Sequence, residues 1–378
     1  VAGPRVQRGP GAGLAGGDPW LLMEHSTSAV NWQPRNIPKA PGEMLRNSLG
    51  HVARGADGVL FFQWRQSRAG AETYHSGMVP HAGRDSALFR DVVRLGDVLG
   101  RLGELRGSVV PRSRIAILWD QEAGWGTALP AQPTSLTYLD QARRLHAALV
   151  DAGVPVDVVP ATDDLDGYDV VLVPTLYLAP EGTADRLAGV VARGGQVVVT
   201  YFSGIVDAAN RVLLGGYPGE FRELLGVRGE EFAPLPEGGT VTLSDGSVGE
   251  VWTERFTAVD ADVVSRFTSG PSEGGPAVTR RRSGGGSAWY VSTRLDAGST
   301  AAFVATLLDE AGIEPVAAPA PGVELVRRVD GERSWVFAIN HTDEDHTLAV
   351  AGHDLVADAR HESGAVVPAR GVVVVRED

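Results

Sequence analysis

Short apolar runs alternate with helical periodicities along most of the chain, and together the two patterns predict an α/β protein. Trp20-Leu21-Leu22-Met23 is a continuous apolar run, the mark of a strand buried on both faces, and it ends at a carboxylate, Glu24. A loop holding Pro34 and Pro38 follows. Pro41 then opens a helix with Met44, Leu45, Leu49 and Val52 on one face, and Gly55 is placed to stop it. Val59 to Phe62 reads as the next strand, a long polar loop runs to about Asp85, and Leu88, Phe89, Val92, Leu95, Leu99 and Leu102 recur at helical spacing. Strand, helix, strand, helix implies parallel neighbours joined by crossovers, in either a doubly wound sheet or a (β/α)8 barrel. The polar residues just after both strands, Glu24 to Trp32 and Gln63 to His75, suit the C-terminal face of a barrel. A whole barrel takes about 250 residues, so this stretch supplies only its last strands.

Ile115 to Trp119, Val156 to Val159, Val170 to Val173 and Gln196 to Thr200 read as further buried strands. Helical spacing falls between them, at Leu136, Leu139, Leu145 and Leu149 and again from Thr183 to Arg193. This rhythm fits a flavodoxin-like or amidotransferase-like parallel sheet. From Glu231 to Val291 the runs become short and β-rich, with Arg280-Arg281-Arg282-Ser283-Gly284-Gly285-Gly286-Ser287 read as an exposed hairpin tip, and a helix from Ser299 to Glu310 closes the region. Ala317 to Pro321 is a linker by composition. After it, Val323 to Val329, an Asp330-Gly331 turn and the alternation Trp335, Phe337, Ile339 predict a hairpin, and Val372 to Val375 adds a strand, giving a small antiparallel β domain. The expected domains are therefore an unstructured segment 1–17, part of a barrel at 18–110, the second α/β domain at 111–316 and the β domain at 317–378.

Composition narrows the function classes. A net charge of −13 repels a phosphate backbone, which argues against nucleic-acid binding. The chain has no cysteine, which removes disulfides, thiolate nucleophiles and cysteine-ligated zinc. No apolar run approaches the 18 or so residues of a membrane span, and Val1 to Gly17 lacks the apolar core of a signal peptide, so the expected location is the cytoplasm, away from any membrane.

The chemistry-bearing stretch is Met23-Glu24-His25-Ser26-Thr27-Ser28-Ala29-Val30-Asn31-Trp32-Gln33-Pro34. A carboxylate delivered by a buried strand, with an indole ring eight residues later, is an arrangement that hydrolyses sugars: carboxylates attack or protonate, and the ring covers the apolar face of a pyranose. This stretch, with Phe61-Phe62-Gln63-Trp64-Arg65 after it, resembles glycoside hydrolase family 42, the β-galactosidases, across the last strands of their barrel. The resemblance implies that Glu24 is the nucleophile of a retaining reaction, that Trp32 walls the galactose subsite, and that Glu72 and His75 bind its hydroxyls. It implies an amidotransferase-like domain that builds a homotrimer, a small β domain behind it, a β-galactoside as substrate, and no cofactor or metal.

Retention needs a second carboxyl group about 5 to 5.5 Å from the first. In this family the resemblance assigns it to the Glu of an Asn-Glu pair, and that dipeptide occurs nowhere here; the asparagines precede Trp32, Ile37, Ser48, Arg211 and His341. The expectation is a chain lacking the acid/base half of its barrel: a β-galactosidase inactive on its own, or alternatively an inactive oligomerisation module or remnant.

Plainer readings compete at each position. An isolated glutamate at a strand end is an ordinary ion-pair partner, Trp32 a packed surface aromatic and His75 a satisfied loop histidine; only their spacing lifts them. Trp119 and Trp125, flanking Asp120 and Glu122, read as interface rather than cleft. Asp343-Glu344-Asp345-His346 reads as a solvated turn rather than a metal site, and Asn340-His341-Thr342 is a sequon without a secretion signal.

Overall fold

The computed structural model describes residues 20–378; the segment 1–17 lies outside the described residues. These fold into two compact units, one made of the residues up to 112 with 153–155 and 315–378, the other of 113–152 and 156–314.

The first unit begins with a two-stranded parallel sheet, β1 (Trp20–Ser26) and β2 (Ala56–Phe62), connected through helix α1 (Glu43–Ala53) and followed by α2 (Ala87–Arg101). Helix α1 starts at Glu43 rather than at Pro41, after Gly42 in the left-handed region at φ 80°. The Glu43 carboxylate folds back to accept the Ala40 N–H at 2.8 Å, tying the start of the helix to the loop before it. Ser86 caps α2, its Oγ accepting from the Phe89 N–H at 3.3 Å. The expectation that Trp20 to Met23 is buried on both faces does not hold: Leu21 is 51% and Met23 68% exposed. Among the described residues β1 has a single neighbour, β2, and much of its apolar surface is exposed.

The last segment of the chain supplies a five-stranded antiparallel sheet in the order Val323–Asp330, Arg333–Asn340, Val372–Arg376, Gly352–Asp354, Ala359–His361. The alternation in Arg333–Asn340 sorts its side chains onto two faces. Trp335, Phe337 and Ile339 join Met44, Leu45 and Leu49 of α1 and Leu95 and Val98 of α2 in one core. Val336 and Ala338 enter a second core with Leu348, Val350, Ala365 and Val367. Both faces are covered, because α1 and α2 pack on one side and short strands on the other. Buried guanidinium groups knit the junction. Arg54 pairs with Glu324, both almost fully buried, and Arg328 donates to the carbonyls of Val52 at 2.9 Å and Ser108 at 2.6 Å. The sequon asparagine Asn340 is buried and donates to the Glu344 and Pro368 carbonyls, which leaves it inaccessible to modification. Asp343 is paired with Arg370 at 2.7 Å in a turn, as a solvated charge run would be.

The second unit is organised by a seven-stranded sheet. Five strands are parallel neighbours: Gly286–Val291, β6 (Gln196–Thr200), β5 (Val170–Val173), β3 (Ile115–Trp119) and β4 (Asp157–Pro160). The strands Pro276–Ser283 and Asp262–Arg266 extend it antiparallel. The helices of seven residues or more are α3 (Gln121–Thr127), α4 (Tyr138–Asp151), α5 (Thr183–Ala192) and α6 (Ala297–Ala311). β5 and β6 are buried at every position, which is why they read as uninterrupted apolar runs. The run Arg280 to Ser287 does form the end of a hairpin, but its basic triplet stands before the turn. Arg280, Arg281 and Arg282 lie within the strand Pro276–Ser283 and pair with Glu310, Asp260 and Asp262, and the turn itself is Gly284-Gly285. No helix among the described residues is long and apolar enough to cross a membrane.

Candidate active site

The β1–β2 register carries the site. Leu22 pairs with Val59 and His25 with Phe61, so two residues of β1, Met23 and Glu24, stand opposite the single residue Leu60. This irregularity re-aims side chains. Glu24 therefore does not follow the strand, as expected, but sits inside it two residues before its end, with an exposed side chain. Behind it, His25 packs against Phe61 at 5.3 Å and against His51 at 5.9 Å. Burial first, then the charge of Lys39 and of His51, pushes the His25 imidazole down to about 3, so this ring is neutral; its Nε2 is buried with no hydrogen-bond partner among the described residues.

Two loops rise from the strand ends, and backbone chemistry fastens them together. The Ser76 Oγ accepts from the Ser28 N–H at 2.9 Å, and the Ser76 N–H donates to the Ala29 carbonyl at 3.0 Å. Asn31 Nδ2 donates to the Ala71 carbonyl, and Asn36 Nδ2 to the Tyr74 carbonyl at 2.9 Å. The second loop closes on itself, with Met78 N–H donating to Gln63 O at 2.7 Å and Val79 N–H to Trp64 O at 2.8 Å. Gly77 makes that closure possible: a Cβ there would stand 2.6 Å from the Gln66 nitrogen. A cis peptide joins Phe62 to Gln63 at the start of this loop.

The residues singled out from sequence fall on these two loops, apart from Glu24 in the strand below them. Trp32 is 70% exposed on the first. Glu72 is half-buried on the second, and its Oε2 is inaccessible with no hydrogen-bond partner among the described residues. His75 is buried, with Nδ1 3.0 Å from the Ser76 carbonyl and its ring edge-on to Phe62 at 4.8 Å.

Sequence reasoning passed over four neighbours. Gln63 Nε2 is a second buried polar atom without a partner among the described residues, in the position following β2. Trp64 and Tyr74 are exposed aromatic rings on the second loop. Lys39 donates to the Ser26 carbonyl and, at 2.9 Å, to the Ser26 Oγ, so it holds the end of β1. Burial pushes the Lys39 ammonium down to about 8, partly offset by Glu43. Gln63 and Trp64 had a signal, being inside the quoted Phe-Phe-Gln-Trp-Arg run; Lys39 had none, since a surface lysine in a proline-rich loop looks the same. Among the described residues no group of acidic or histidine side chains is arranged to hold a metal.

Comparison with known proteins places the whole chain. Three family models match in succession: β-galactosidase over residues 9–102, β-galactosidase trimerisation domain over 113–314 and β-galactosidase C-terminal domain over 322–377. A β-galactosidase of Arthrobacter sp. is 52% identical over 369 residues, covering 97% of this chain and 53% of that protein. The β-galactosidase BbgII of Bifidobacterium bifidum is 38% identical over 382 residues, covering 96% of this chain and 55% of its own length. In crystal structures, the β-galactosidase of Bacillus circulans sp. alkalophilus superposes with a TM-score of 0.92 at 33% identity, over 97% of this chain and 56% of that one. The cold-adapted enzyme of Rahnella sp. R3 gives 0.89 at 32% identity, over 97% and 56%. The chain spans just over half the length of these relatives. Matched from end to end by family models and by relatives well above 30% identity, the chain belongs to glycoside hydrolase family 42, the β-galactosidases.

Proposed function

We propose that this chain is the C-terminal portion of a retaining β-galactosidase and that Glu24 is its nucleophile. The observation that carries the reading is that the register irregularity in β1 falls at Met23 and Glu24, and that the Glu24 side chain is exposed beside the two loops that carry Trp32, Glu72 and His75. In this reading Glu24 attacks the anomeric carbon, the glycosidic bond breaks, and a glycosyl-enzyme forms that water then releases. Trp32 supplies the apolar wall. Glu72 and Gln63 hold one unpartnered buried atom each, and a buried polar atom is costly unless something completes it; sugar hydroxyls are the completing groups. His75 has Nδ1 engaged by Ser76, so Nε2 is the ring nitrogen that meets a hydroxyl.

β1 and β2 are, in this proposal, the last staves of a (β/α)8 barrel, and the five-stranded parallel core of the second unit is an amidotransferase-like domain that builds a homotrimer. The acid/base belongs to the part of the barrel outside this sequence. Leu21, Met23 and Leu60, exposed on β1 and β2, are the surface that this part covers. The same exposed surface favours a second reading, an inactive oligomerisation module that has no partner for it.

The test is turnover of an aryl β-galactoside. The chain alone should be inactive. Joined to the N-terminal half of the Arthrobacter relative, it should hydrolyse the substrate, and Glu24→Gln should abolish that activity. Strong activity of the isolated chain, or a chimaera that survives Glu24→Gln, would overturn the proposal. A well-behaved trimer that no barrel half activates would favour the second reading.

A further inference from the structure

The second unit presents a set of large apolar side chains to solvent: Trp125 at 64%, Leu129, Val212 and Leu214 at 87%. They come from two separate stretches that meet at Tyr177. A Cβ added to Gly126 would stand 2.8 Å from the Tyr177 ring, so the end of α3 rests on that ring. The Tyr177 carbonyl accepts the Ile205 N–H at 2.8 Å, and the Ile205 carbonyl accepts the Leu213 N–H at 2.9 Å. Tyr177 thus touches the end of α3 and is hydrogen-bonded, through Ile205, to the segment that carries Val212 and Leu214.

The segment bearing Leu214 is held by several bonds. Arg222 Nη1 donates to the carbonyls of Leu214 and Gly216, each at 3.1 Å, and Arg228 Nε donates to that of Gly215 at 3.1 Å. Gly215 and Gly216 lie at φ 100° and 110°, and a Cβ on Gly215 would come within 2.5 Å of Arg222 Nη1. Two guanidinium groups and two left-handed glycines thus fix a leucine in water. Apolar surface presented on a framework this ordered marks a recognition surface rather than a tolerant loop tip. The neighbouring charges Arg211 and Asp207 pair with each other at 2.8 Å.

We propose that Trp125, Leu129, Val212 and Leu214 form a contact surface for a second copy of this chain. The inference rests on the trimer reading above. All four residues lie inside 113–314, the span matched by the trimerisation-domain family model. A closed ring of three copies uses heterologous contacts, so this patch meets a different face of the next protomer. Its aromatic and leucine content suits the dry centre of such a contact.

The chain has no cysteine, so Val212→Cys introduces a single thiol into the patch. Two measurements follow: light scattering of the parent and of a Trp125→Ser/Leu214→Ser double variant across a dilution series, and the maleimide labelling rate of Val212→Cys across the same series. The expected result is a trimeric parent and a double variant that dissociates at about a hundredfold higher concentration. The thiol should label at least about tenfold more slowly where the protein is assembled, because a packed interface core excludes the reagent. A trimeric parent whose thiol labels equally fast at every concentration removes this surface and leaves the trimer standing. A parent that stays monomeric throughout removes both. If the double variant fails to fold, the labelling series alone decides.

Discussion

Replacing Glu254 by glutamine should change how the second unit's stability depends on pH. The Glu254 carboxyl is fully buried, accepting from Trp252 Nε1 at 2.7 Å, from Tyr290 Oη at 2.6 Å and from the Phe202 backbone. Around it stand Tyr201, Phe202, Trp252, Phe256 and Tyr290, and the causes acting on it include burial and hydrogen bonds but no cation. Burial raises its pKa from the ordinary 4.5 to about 7, against the lowering effect of its three donors. Because the folded value lies above the unfolded one, the folded state holds the extra proton between these two pH values. The stability that this proton contributes is complete below 4.5 and is lost as pH rises through about 7. Each pH unit in that window removes about 1.4 kcal/mol, so the whole loss is about 3 kcal/mol.

Glutamine keeps the volume, donates an N–H to Tyr290 Oη and accepts from Trp252, but cannot ionise. The difference in unfolding free energy between the parent and Glu254→Gln should therefore move by about 3 kcal/mol in favour of the variant between pH 4.5 and 7.5. Urea unfolding followed by tryptophan fluorescence at a series of pH values measures it, and other titrations cancel in the difference. Two curves that stay parallel within about 1 kcal/mol would refute the argument, since they would mean that the buried carboxyl binds its proton no more tightly than an exposed one.

Further outcomes follow from single features. Glu324→Gln leaves the buried Arg54 guanidinium without its counter-charge at the α1 junction and should cost about 3–5 kcal/mol in urea unfolding, whereas an exposed pair such as Arg255 with Glu231 should cost under about 1 kcal/mol. Gly77→Ala forces a methyl against the Gln66 and Arg65 backbone; it should destabilise by about 1–3 kcal/mol and speed amide exchange at Met78 and Val79, whose bonds to Gln63 and Trp64 close that loop. In the active chimaera, Glu72→Gln should raise KM or lower kcat without changing thermal stability by more than about 1 kcal/mol, because Oε2 has no partner among the described residues to lose.

Local periodicity carried much of this protein in its sequence. The strands β3, β5 and β6 coincide with their apolar runs at 115–119, 170–173 and 196–200, and the turn expected at Asp330-Gly331 lies one residue further on, at Gly331-Glu332, because Asp330 ends the first strand opposite Arg333. Such runs record a local preference for apolar, strand-forming side chains, which the chain carries residue by residue. The proposed nucleophile was singled out by the resemblance of the Met-Glu-x-Ser-x-Ser-Ala-Val-Asn-Trp stretch. What faces what was not legible. That Trp335, Phe337 and Ile339 share a core with α1, almost three hundred residues away in the chain, is a statement about partners, and no period encodes a partner. The irregularity that aims Glu24 arises only when β1 must match β2, and the openness of Leu21 and Met23 only because β2 is the one strand paired with β1 among the described residues. Glu254 looks in the sequence like any surface glutamate between short strands. It became a buried, proton-holding group because Tyr290 and Trp252 close over it, and the free energy of its proton depends on that enclosure rather than on the residue itself.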